Sequence, residues 1–175
     1  MDAIGSAATG ALRVGIQVIS NHKKPVLEIY HEVHNEYGPE IEKHRFQDIF
    51  ISFLLINIGS IRAENVIVSI GGNFTRGAPR TFGELFGANI AQVAPGQAIY
   101  LCRLEQHDLY KYENGSAAAL KDEHLVITAE YDGPWRGINR VFRVRSHLRG
   151  LKQYQTRYEF NAKNVATDLP PPKYP

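Results

Sequence analysis

The chain has 175 residues, 43% apolar and 22% charged, with a formal net charge of +2, which is enough for one globular core that buries about 70% of the unfolded surface. A net charge so close to neutral does not by itself imply a polyanionic partner, and the single cysteine, Cys102, excludes an intrachain disulfide and a cysteine-only zinc site. The opening MDAIGSAATGALRVGIQVIS lacks a basic leader, is broken by Arg13 and is too short to span a bilayer, so the expectation is a cytoplasmic protein without a transmembrane segment, unless an anchor or export signal is supplied elsewhere.

Alternation at a period of two, the mark of a half-buried strand, recurs along most of the chain. After an N-terminal segment over 1–11, LRVGIQVIS sets Leu12, Val14, Ile16 and Val18 on one face. VLEIYHEVHN sets Leu27, Ile29 and Val33 against Glu28, Glu32 and His34. The run IFISFLLINI is apolar on both faces and predicts a central strand covered on both sides, with Phe53 and Leu55 inaccessible. Asn57–Ile58–Gly59–Ser60 reads as a corner, from which NVIVSI leaves with Val66, Val68 and Ile70 together.

The connection over 73–92 is too long for a structureless loop in a compact domain. Its Phe74, Phe82, Leu85 and Phe86 are too apolar for a solvated linker, so they either cap an open end of the fold or form a partner-binding patch. TFGELFGANI has room for one helical turn, and SAAALKDEH for two, with Ser116 as N-cap. AIYLCRLEQ, HLVITAEY, INRVFRVRS and YQTRYEF complete about eight strands, separated by turns such as APG, NGS and DGPWRG. Without crossover helices these strands are antiparallel, in a sandwich or a barrel over 12–161. The tail over 162–175, ending TDLPPPKYP, favours an extended polyproline segment, and its Pro171–Pro172–Lys173–Tyr174 fits the pattern read by WW-type grooves.

The order LLINIGSIRAENVIVSIGG, then VAPGQAIYLCRL, then LVITAEYDGPWRGINRVFRV resembles bacterial immunoglobulin-like domains of the CARDB-like kind, over residues 26 to 148. The matching positions are Asn57, Gly59, Ala63, Asn65, Val66 and Val68, followed by Pro95 and Gly96. The resemblance implies an all-β protein: a single antiparallel immunoglobulin-like β-sandwich of about eight strands with at most one or two short helices. It further implies a domain that binds or spaces other components, and it carries no catalytic residues.

Three candidate chemistries remain. HEVHNEYGPEIEKH offers His31, His34 and His44, but a spacing of three on a strand sends His31 and His34 to opposite faces, unlike the i, i+4 pair of a helical zinc motif. No metal or other cofactor is expected, and a metal-dependent enzyme using His31 and His34 is the most distant alternative. Cys102 fits the alternation of its strand as a small buried hydrophobe. From Arg136 to Arg157 the chain carries Arg136, Arg140, Arg143, Arg145, Arg149, Lys152 and Arg157 without an acid. On a strand, Arg143 and Arg145 would share a face with His147, and with Arg149 they form a candidate anion-binding set for nucleic acid or an anionic surface. Glu130 and Asp132 on the preceding strand would then lie opposite and neutralise much of it. The main expectation is a non-catalytic protein-interaction or structural module, with a protein partner or a second copy of itself.

Overall fold

The computed structural model describes residues 23–41, 44–76, 81–113 and 116–164; the expected strand over 12–18 and the proline-rich tail lie outside them. Two antiparallel sheets face each other. The first, ordered β1–β2–β5, contains β1 (Leu27–Ile41), β2 (His44–Asn57) and β5 (Ala98–Glu105). The second, ordered β4–β3–β8–β9, contains β3 (Ala63–Gly72), β4 (Asn89–Val93), β8 (His124–Asp132) and β9 (Tyr154–Asn161). A ribbon of β6 (Tyr110–Glu113) and β7 (Ser116–Leu120) lies in the connection from β5 to β8. With β1, β2 and β5 on one side and β3, β8 and β9 on the other, this is the strand distribution of an immunoglobulin-like sandwich, and β4 extends the second sheet as in the variable type.

Alternation places the core as the sequence predicts. Ile51, Phe53 and Leu55 from β2 meet Val66 and Val68 from β3, Leu125 and Ile127 from β8, and Phe160 from β9. Phe53 and Leu55 are both fully inaccessible. Phe53 sits edge-on to Phe160, with ring centroids 5.1 Å apart, an arrangement that adds directional attraction to the burial. The other face of β2 is only partly covered: Leu54 and Ile56 are half-buried, and Phe50 stacks on His34. The sequence therefore overstates how dry this strand is on its second side.

Two bulges change parity where alternation alone would fail. Between Phe53 and Leu54 the register with β5 shifts, so Leu101 and the adjacent Cys102 both point into the core. Burial pushes the Cys102 thiol up to about 12, which makes it inert packing. In β3 the register with β8 shifts between Glu64 and Ile67, and Asn65 takes φ 50°, a left-handed value that asparagine tolerates better than most residues. Ala63 and Val66 thereby both reach the core, while Asn65 turns its amide toward the end of β8.

The chain crosses from the first sheet to the second at the expected corner. Asn57 is fully buried and pins it: its Nδ2 donates to the carbonyls of Ile61 (2.8 Å) and Val93 (2.9 Å), and its Oδ1 accepts from Gly59 N–H. Glycine is required at 59 because a Cβ there would lie 2.5 Å from the backbone nitrogen of Val26. Asn-x-Gly is thus a physical unit, one residue bonding and the other giving way.

Three local expectations are corrected. Ser116–Leu120 is strand β7, not helix, and pairs with β6. Residues 84–87 form a turn without a helix. INRVFRVRS is not a strand: Gly137–His147 is a helix of eleven residues. The reason lies in the sheet, where β8 already has β3 on one edge and β9 on the other, leaving no edge for this segment. The helix instead lies within the connection from β8 to β9. We call it α2, following a one-turn α1 (Gln106–Leu109).

Candidate functional site

The helix α2 is built back to front. Residues at i, i+3, i+4 and i+7 share one side of a helix, and here that set, Asn139, Phe142, Arg143 and Ser146, is the inward side. It is mostly polar. The opposite crest carries Val141, Val144 and Leu148, exposed by 65%, 42% and 83%. Of the eight exposed large apolar side chains among the described residues, five (Trp135, these three and Leu151) lie within 135–151. Exposed apolar residues scattered singly need no explanation, but a row along one helix does.

A buried carboxylate holds the helix in this orientation. Asp132, the last residue of β8, is wholly inaccessible. Its oxygens accept from His147 Nε2 (3.1 Å), Gln153 N–H (3.2 Å) and Asn65 Nδ2 (3.4 Å), with Lys152 Nζ at 3.5 Å. Burial, the largest single influence, pushes the Asp132 carboxyl upward, yet Gln153, His147, Lys152 and Asn65 together outweigh it and hold the carboxyl below its ordinary value. Arg143 lies 3.6 Å from Asp132 and donates to Glu64 Oε2 at 2.9 Å. Asn139 accepts from Tyr154 Oη, and its amide donates to the carbonyl of Lys23. The C-terminal end is closed by Gly150 at φ 69°: Gly150 N–H bonds to the His147 carbonyl and Leu151 N–H to that of Ser146, the paired bonds of a Schellman stop.

The predicted basic set is divided by this geometry. Arg143 faces inward and is neutralised by Glu64 and Asp132, so the expected neutralisation is real for one arginine, though delivered from a helix onto a buried carboxylate. Glu130 is not part of it; its carboxylate accepts from Gln155. Arg145 and Arg149 are exposed, as are Arg136 and Arg140, and none of these four has an acidic partner among the described residues. Two guanidinium groups lie over the Trp135 ring, Arg140 at 5.4 Å and Arg143 at 5.2 Å from its centre.

The aromatic connection goes the other way. Phe74 is buried, and Phe82, Leu85 and Phe86 are half-buried against the core. Phe82 touches both Phe74 and Phe86. Arg76 locks this cap in place: it pairs with buried Asp108 at 2.9 Å, donates to the carbonyls of Thr81 and Arg103, and lies over the Phe82 ring. His31 and His34 fall on opposite faces of β1. The first packs against Phe53 and Phe160 and bonds to Tyr158 Oη, the second stacks on Phe50. Among the described residues no group of three histidine, cysteine or acidic side chains is placed to hold a metal ion.

The signal for α2 was present in the sequence. Val141, Val144 and Leu148 follow i, i+3, i+7, and Gly150 is a helix-stop residue two places beyond. It competes with the alternation of Phe142 and Val144 against Arg143 and Arg145, which is what the strand reading follows. Comparison with family models, curated proteins and solved structures finds no match for this chain.

Proposed function

We propose that this chain is a non-catalytic interaction module, an immunoglobulin-like sandwich that docks through the outward crest of α2. The observation that carries this reading is the inversion of the helix: Asn139 and Arg143 are turned inward onto polar partners, while Val141, Val144 and Leu148 are left to solvent. Apolar area left in water retains its driving force for association with a second surface. The resemblance to CARDB-like domains, which implies binding or spacing of other components, supports the same reading. Docking is assigned to α2 and not to Phe74, Phe82, Leu85 and Phe86 because the chain's own core already occupies the faces of those four.

A photo-crosslinking residue placed at Leu148 tests this in cells producing the protein. Adducts are expected from Leu148 and none from the same probe at Glu28, an exposed position on the other sheet. Equal yields at the two positions, or none at either, overturn the assignment.

A further inference from the structure

We infer that the surface met by the α2 crest is an anionic lipid bilayer, contacted peripherally. This rests on the docking reading above and adds the identity of the partner. Four observations converge on it. First, charge: no aspartate or glutamate occurs from Trp135 to Lys152, while six basic residues do (Arg136, Arg140, Arg143, Arg145, Arg149 and Lys152). Arg143 and Lys152 are engaged with Glu64 and Asp132, which leaves the four exposed arginines available to anionic headgroups.

Second, placement. At 3.6 residues per turn Arg140 flanks the Val141–Val144–Leu148 crest on one side and Arg145 on the other. Their long arms let the guanidinium groups sit at phosphate level while the aliphatic tips enter the acyl boundary, as in a helix lying in the membrane plane. Third, Trp135 is half-exposed at the rim of this surface, where an amphipathic ring suits the interface between headgroup and hydrocarbon. Fourth, shape: the crest is convex and aliphatic. Protein hot spots favour aromatic and arginine anchors seated in pockets, and a nucleic acid would require cations, not Val144 and Leu148, at the point of closest approach. No helix among the described residues is long and apolar enough to cross a membrane, so α2 would lie on the surface.

Flotation with unilamellar vesicles tests the inference. One set is phosphatidylcholine alone, and the other contains phosphatidylglycerol as well. The protein is expected to float with the second set and not the first, and to be released by high salt. Arg140→Gln/Arg145→Gln/Arg149→Gln should weaken binding on the order of a hundredfold, about fivefold per arginine. Val144→Ser/Leu148→Ser should also lose binding, which separates insertion of the crest from adsorption by charge. Both variants alter exposed side chains, and an unchanged melting temperature verifies that each folds. Equal binding to both vesicle sets, binding to neither, or full binding by the serine variant each overturns the lipid assignment. Protein adducts from Leu148 without vesicle binding sink the lipid partner and leave the docking reading standing. An oligonucleotide complex that needs the arginines but not Val144 and Leu148 would instead identify nucleic acid as the partner.

Discussion

Asn57 is a polar side chain in a place where most chains would put a hydrophobe. Burial of an amide is tolerable only when all its hydrogen-bonding capacity is met. Here two donors and one acceptor are matched within the corner, and its backbone bonds to Gln97 and Gly96 as well. Asn57→Ala would strand the carbonyls of Ile61 and Val93, at a cost of about 2–4 kcal/mol. Asn57→Asp should be worse, because a carboxylate would face those two carbonyls with no proton to offer. Urea denaturation of the two variants measures the difference, and an aspartate variant as stable as the parent would refute this account of the corner. This much was legible beforehand, since Asn-x-Gly between two apolar runs has few other uses. The role of Asn65 was not. A bulge leaves no compositional mark, and only the pairing of β3 with β8 reveals that Asn65 must turn through a left-handed conformation.

Among the elements, the cap made by Phe74, Phe82, Leu85 and Phe86 and the helix α2 make opposite uses of apolar side chains. The cap turns its aromatics inward, so Phe82→Ser/Phe86→Ser should lower stability by about 2 kcal/mol, roughly half the full burial of two such rings. That corresponds to a melting temperature lower by about 4–8 °C, measurable by calorimetry. The exposed pair Val144 and Leu148 should move it hardly at all when changed to serine. Equal losses from the two double variants would mean that the crest of α2 is buried and that the contrast drawn here is false. The sequence marked the first as an apolar anomaly with two possible uses, cap or docking patch, and the second as a basic strand, which it is not. Phe74, Phe82 and Phe86 could be read as needing cover because no regular strand contained them. Residues 137–147 satisfied two periods at once, and what decides between them, the occupied edges of β8, is a property of the sheet and not of the segment.

Across the whole molecule two groups, one bridging the sheets and one beneath α2, respond to acid in the same direction. His31 bridges from β1 to Tyr158 on β9, and burial lowers its pKa from the ordinary 6.5. A histidine that is harder to protonate when folded contributes stability that is complete above 6.5 and declines as pH falls below it. Asp132, also held below its ordinary value of 3.8, contributes stability that is complete above 3.8 and is lost as pH falls further. The melting temperature should therefore hold near neutrality and fall in two stages on acidification. His31→Asn should remove the first stage, and Asp132→Asn should lower the plateau and flatten the second. A profile from pH 8 to pH 3 checks all three, and a melting temperature that rose toward acid would contradict the assignment. The core positions were foreseeable from alternation, but strand order was not, and this linkage required knowing which strands of the two sheets meet. One further property follows from the placement of Trp135, the only tryptophan in the chain. Because it stands half in water beside Arg140 and Arg143, its intrinsic fluorescence is a label already installed at the proposed docking face. Drying of that face shifts the emission to the blue, while rearrangements confined to the aromatic cap or the β6–β7 ribbon leave the spectrum unchanged.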